Sequence, residues 1–205
     1  MTVLYPADVL GIVLWSVLIL LLAGGVALAL VASRQPTAER PGRHWLIVPV
    51  VVLVAIAIVF AAVGGWASVP GLGFRIAAIV LLLALGVVGG SPLVLVVLEL
   101  AGSGAVPLGD HGGILVSEAG ARGGAKAKDR EILRGGMTIG YLERLAIIGA
   151  ALAGQFAAVA IVVAVKGLGR FSELENSAAR ERFIIGTLVS LVWAAACVAP
   201  AVIGW

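Results

Sequence analysis

The sequence predicts an all-α protein, a polytopic transmembrane helical bundle, and three observations carry that prediction. Charged residues make up only 12% of the chain and hydrophobic ones 61%. The mean hydropathy is +1.16, whereas a soluble domain has about a quarter of its residues charged. The apolar residues also come in runs close to the roughly 20 that a helix needs to cross a hydrocarbon core, with Arg, Lys and Gly gathered between them. A chain this apolar has too few polar groups to cover its surface in water. The lipid bilayer is its expected solvent and first partner.

About five spans are expected. The first runs from Val9 to Ala32; no basic residue precedes it and it exceeds a signal-peptide core, so it reads as a retained helix. The second runs from Trp45 to Trp66, 21 residues or about 31 Å of helix, which suits two aromatic anchors at opposite interfaces. The third, Phe74 to Val88, ends where Gly89-Gly90-Ser91-Pro92 interrupts the apolar run, because proline removes a backbone donor and disfavours helix before it. A short interfacial or re-entrant helix, Pro92 to Leu100, then follows; one long helix kinked at Pro92 is the competing geometry. The fourth span is Leu145 to Val165 and the fifth Phe183 to Ile203.

Three regions result: a membrane region over 1–101, a segment over 102–136, and a second membrane region over 137–205. The middle segment contains ten glycines and many charges, so it buries little apolar surface and is expected to be a flexible loop. Ile114-Leu115-Val116 is its one candidate strand. With five spans, Arg34, Arg40, Arg43, Arg122, Lys126, Lys128, Arg130 and Arg134 fall on one side of the membrane. Arg75, Lys166, Arg170, Arg180 and Arg182 fall on the other. The positive-inside rule then places the N-terminus outside and the C-terminus and the 102–136 loop in the cytoplasm.

The net charge of +3 comes mostly from arginines in connecting segments, which excludes a nucleic-acid footprint. A single cysteine, Cys197, excludes an intramolecular disulfide and a paired-cysteine metal site. No phosphate loop, dinucleotide fingerprint, zinc-protease helix or nucleophile elbow occurs, so no catalytic residue, cofactor or metal is expected. Asp110-His111 and His44 are the nearest approach to a ligand set, and their spacing asks only for solvated loops.

Other residues stand out. Ala146, Ala150, Gly154 and Ala158 recur every four positions, a small-residue stripe suited to helix packing or to an oligomer interface. Gln155, beside it at mid-membrane, needs hydrogen-bonding partners and should face protein. The second span offers Ala57, Ala61 and Gly65, and the third ends in Gly86-x-x-x-Gly90. Glu143 and Arg144 begin the fourth span and Lys166 ends it, about 33 Å away along a straight helix. Glu143 is expected to pair with a basic residue of a neighbouring helix. Lys166, Arg170, Arg180 and Arg182 suit either snorkelling to the headgroups or a lipid phosphate.

Three segments of the C-terminal third form an ordered set: Gly135 to Arg144 (GGMTIGYLER), Ala164 to Leu174 (AVKGLGRFSEL) and Arg182 to Trp193 (RFIIGTLVSLVW). Together they resemble a group of bacterial, mostly actinobacterial, polytopic membrane proteins with no assigned function. The resemblance implies a shared membrane core on the last helices and draws attention to Glu143, Arg144, Lys166, Arg170 and Glu173. It carries over no catalytic role. The expected function is a non-enzymatic scaffold or accessory subunit in the bacterial plasma membrane. A small oligomeric transporter or channel, or a lipid-phosphate binder or enzyme using the basic cluster, are the alternatives.

Overall fold

The computed structural model describes residues 6–34, 43–101, 114–116, 130–132, 136–169 and 177–204. Within them the fold is helical: α1 (Pro6–Ser33), α2 (Ile47–Ala62), α3 (Leu72–Leu100), α4 (Gly136–Leu152), α5 (Phe156–Gly169) and α6 (Ser177–Ile203). Two three-residue strands, β1 (Ile114–Val116) and β2 (Arg130–Ile132), pair antiparallel, with Leu115 opposite Glu131. Gly136 begins α4, and the rest of the 102–135 segment lies outside the described residues. By length and composition, α1, α3 and α6 can each cross a membrane. The shorter α2 is flanked by 3-10 turns at Arg43–Leu46 and Gly65–Ser68.

The core forms where apolar faces meet around α3. Trp15 and Leu22 of α1, Ile47 and Val54 of α2, Leu82 and Leu85 of α3, and Trp193 and Cys197 of α6 are buried together. A second cluster joins Ile147, Ile148 and Ala151 of α4 to Ala194 and Val198 of α6. The outward faces stay apolar: Leu20 is 72% exposed, Val59 61% and Val192 68%, as expected where lipid is the solvent.

Contacts along the helices sort their ends into two groups. Trp15 meets Phe60 and Trp66 edge-on, with ring centroids 5.6 and 5.3 Å apart. The Gly204 carbonyl, at the end of α6, accepts from Arg75 Nη2 at 3.0 Å, and Arg75 also lies 5.8 Å from the Trp66 ring centre. A cation is favoured there because the last carbonyls of a helix carry partial negative charge. The start of α1, the end of α2, the start of α3 and the end of α6 therefore share one end of the bundle, here called the aromatic end. The end of α1, the start of α2, the end of α3, the start of α4, the end of α5 and the start of α6 share the opposite, basic end, and the α4–α5 turn lies between the two, beside Leu83.

Three expectations are corrected. α3 runs unbroken from Leu72 to Leu100 through Gly89, Gly90 and Pro92, so there is no separate helix over Pro92 to Leu100. A broken helix in lipid would strand backbone polar groups, which favours continuation through a buried proline. Trp66 is only 4% exposed; it plugs the aromatic end and is no lipid-facing anchor. Most consequentially, the fourth candidate span is not one helix. It breaks at Ala153–Gly154–Gln155, where Gly154 takes φ +69°, and α5 folds back beside α4. Positive φ is open to glycine at little cost.

Close approach to α3 depends on its glycines. A Cβ on Gly86 would overlap Ile148 and come within 3.2 Å of the Cys197 Cβ, and one on Gly89 would lie 2.8 Å from Trp193. Gly149 has open space around it. Replacing Gly86 with leucine should therefore cost about 1–3 kcal/mol through overpacking, whereas Gly149→Leu should leave stability nearly unchanged. Thermal unfolding in detergent checks this; equal midpoints for the two variants would mean that α4 and α6 do not seat closely on α3.

Candidate functional site

The hairpin gathers polar side chains at one place inside an apolar bundle. Arg144 lies on α4 two turns in from Gly136, on the same face as Ile147, Ile148 and Ala151, so burying that face carries the guanidinium inward. It is 2% exposed. Its Nε donates to the Val87 carbonyl at 2.8 Å, its Nη2 to Ser91 Oγ at 2.9 Å, and its Nη1 to Ser190 Oγ at 3.2 Å. The Tyr141 ring centre is 5.3 Å from Cζ. One planar fork thus ties α4 to α3 and α6. That task suits arginine, whose donors are fixed in a plane.

The stretch that reads as a helix breaker is the socket for this fork. Gly90 leaves the space that the guanidinium fills; a Cβ there would meet Cδ at 2.6 Å and Nε at 2.7 Å. Ser91 supplies an acceptor. Pro92 has no N–H, so the α3 ladder is locally short of a donor, and the nearby Val87 carbonyl accepts a side chain as well. A carbonyl has two lone pairs and can take both.

Next to Arg144, the Glu143 carboxylate is ion-paired with Lys166 Nζ of α5. The basic partner expected for Glu143 is therefore Lys166 itself, the residue placed at the far end of a straight span. Both side chains are largely covered, at 12% and 17% exposure, and Lys166 also lies 5.8 Å from the Phe183 ring centre. The pair staples the open end of the hairpin. The space between the hairpin and α6, lined by Glu143, Ile147, Lys166, Thr187, Ser190 and Leu191, among others, amounts to only about 10 Å3, room for about one water. Small-molecule sites typically enclose roughly 300–1,000 Å3. Thr187 Oγ1 is buried with no hydrogen-bond partner among the described residues.

The other residues singled out in the sequence are dispersed. Ala146 and Ala150 lie on α4, Gly154 in the turn and Ala158 on α5, so the stripe is not one helical face. Ala146 and Gly154 are exposed. Gln155 is not turned into protein: it is exposed, its N–H donating to the Ala150 carbonyl at 2.8 Å and its carbonyl accepting from Ala158 N–H at 3.0 Å. Arg180 is exposed and Arg182 partly covered at the start of α6. Arg170, Glu173, Asp110 and His111, and the His44 side chain, lie outside the described residues. Ser91, Thr187, Ser190 and Tyr141 escaped the sequence reading; hydroxyls on apolar helices beside a membrane arginine were the available signal.

Comparison with protein families, with characterised proteins and with solved structures finds no match.

The chemistry of this arrangement is that of a clamp, because the cation's hydrogen bonds go to uncharged oxygens on two other helices. Arg144→Met should loosen the hairpin by about 1–3 kcal/mol, raising amide hydrogen exchange over 136–169 about tenfold or more while α1 and α2 stay protected. Arg144→Lys should fall between, since one ammonium cannot span three acceptors. Unchanged exchange would mean that apolar contacts alone hold the hairpin.

Proposed function

We propose that this chain is an integral membrane protein with four crossings, α1, α2, α3 and α6, and a re-entrant hairpin, α4–α5, and that it acts as a non-enzymatic scaffold or accessory subunit. The observation that carries this reading is the economy of the hairpin. Its charged residues are consumed in holding it: Arg144 to α3 and α6, Glu143 to Lys166. Its second arm, α5, contributes no buried residue. An element fastened so deliberately, yet leaving the outer face of one arm uncovered, suits presentation to another protein better than enclosure of a substrate.

The hairpin also sharpens the orientation. Of the 14 Lys and Arg, Arg75 belongs to the aromatic end and Arg144 is buried. All the others occur in sequence at, or between, helix ends that belong to the basic end. The five-span scheme divided them far more evenly, because it carried Lys166, Arg170, Arg180 and Arg182 to the other side. By the positive-inside rule, the basic end faces the cytoplasm of a bacterial cell. Pro6 and Gly204 then both lie toward the outside, which keeps the expected placement of the N-terminal end and reverses that of the C-terminal end.

A lipid-phosphate contact is the second reading. It is favoured because the fold returns Lys166 to the end where Arg180 and Arg182 begin α6. Native mass spectrometry after gentle extraction from the membrane separates the two. A defined protein partner or homo-oligomer is expected; a monomer with one retained lipid species would move the assignment to lipid binding, and a bare monomer would overturn both.

Orientation is checked by labelling intact cells with a membrane-impermeant maleimide, using single cysteines in a Cys197→Ala background. Ser68→Cys should label, and neither Arg34→Cys nor Arg180→Cys should. Labelling of Arg180→Cys together with Ser68→Cys would restore a straight fourth span.

A further inference from the structure

The hairpin tip poses a problem that lipid does not solve. From Glu143 to Leu152, and from Phe156 to Lys166, each arm is about 14–15 Å long. The tip therefore lies that far below the ion pair, beside the middle of α3, where Leu83 and Leu152 pack on the same cluster. At this depth Ala153, Gly154, Gln155, Phe156 and Ala157 are all exposed. At the start of α5, Ala158 N–H donates to the Gln155 carbonyl, but the N–H groups of Phe156 and Ala157 have no helical carbonyl one turn behind them, and the Gln155 side chain adds two donors and an acceptor. Non-helical backbone at membrane depth is tolerated only where protein or a water-filled cavity covers it.

We infer that this tip and the outer face of α5 form the interface between two copies of the chain, with Gln155 paired to its counterpart across a two-fold axis normal to the membrane. The inference rests on the re-entrant, assembly-forming reading above and names the partner. A primary amide complements itself: two of them, related by a two-fold axis, exchange N–H···O bonds in both directions and leave neither unmet. No ionisable side chain lies between Gln155 and Lys166 to specify a different partner by charge. The face that continues from Gln155 along α5 carries Ala157, Ala160 and Ala164, all exposed, beside Ile161 at 64% and Leu168 at 76%. Small side chains let two helices approach closely in lipid, where close packing replaces the hydrophobic drive. The opposite face of α5, through Val159 and Val162, is already used against the α4–α6 cluster.

The test is disulfide cross-linking in native membranes under mild oxidation, with single cysteines in the Cys197→Ala background. Gln155→Cys and Ala160→Cys should give covalent dimers of the chain, and Leu20→Cys, on the exposed outer face of α1, should not. In the natural sequence background, Gln155→Leu should raise the dimer dissociation constant in lipid about tenfold, read by single-molecule photobleaching at graded dilution. These positions are exposed, so the variants leave the core intact. Equal cross-linking at Leu20 and Gln155, or a dimer insensitive to Gln155→Leu, would overturn the inference. Cross-linking of Gln155→Cys to a different protein would overturn it while sparing the accessory-subunit reading. No cross-link from the tip to any protein, with a monomer in dilute lipid, would overturn both.

Discussion

A single buried guanidinium decides how the C-terminal half of this chain folds. Arg144 is buried among oxygens of α3 and α6, and each of those oxygens is there for a local reason. Ser91 and Ser190 are hydroxyls on otherwise apolar helices, and the Val87 carbonyl offers its second lone pair. A charge in hydrocarbon is costly unless its donors are met. Meeting them requires α4 to lie against α3 with glycine at position 90 and serine at 91. Once α4 is fixed in that way, Glu143 lies next to the returning Lys166, and the direction of α5 follows.

The same constraint explains the distribution of charge. The two arginines outside the basic end both donate to helix backbone: Arg75 to the Gly204 carbonyl at the end of α6, beside Trp66, and Arg144 to the Val87 carbonyl of α3. Each joins α3 to α6, with Arg75 and Val87 roughly 18 Å apart along α3. Between them Trp193 Nε1 donates to the Leu85 carbonyl at 3.1 Å. Two direct contacts to backbone oxygens, and the Arg144 bridge between the Val87 carbonyl and Ser190 Oγ, thus set the register of an otherwise apolar helix pair, which packing of similar aliphatic side chains would specify only weakly.

Much of this was legible in the sequence and some was not, for identifiable reasons. The long helices follow from hydropathy, since a run of some 20 apolar residues in lipid has no alternative that satisfies its backbone. The break in the fourth run was hidden because Leu145 to Val165 has the length of a span and contains no proline. Its signal lay in symmetry: Glu143 and Lys166, of opposite charge, are almost equally distant from Gly154-Gln155, the one pair of turn-compatible and polar residues between them. The reading of Gly89-Gly90-Ser91-Pro92 failed in the opposite sense. Those residues are poor helix formers in water, but in lipid the penalty for breaking the ladder exceeds their propensity, and the missing side chains become space for Arg144 and Trp193. A straight helix would hold Glu143 and Lys166 at opposite ends, so their pairing is invisible to spacing along the sequence.

The balance of these terms bears on why a hairpin forms at all. A straight helix from Gly136 to Gly169 would leave no turn in the hydrocarbon, yet it would carry Lys166 away from Glu143 to the opposite end. Folding back keeps the two paired and lets the apolar faces of both arms join the cluster around Ile147 and Ile148. The cost is concentrated at one point, the exposed turn and the Gln155 amide, each unmet group there amounting to several kcal/mol in lipid. Interior contacts of one copy do not reach that point. In the proposed dimer the second copy covers it and so contributes to holding the hairpin as well as to assembly, which would make the fold of the C-terminal region and its association one equilibrium rather than two.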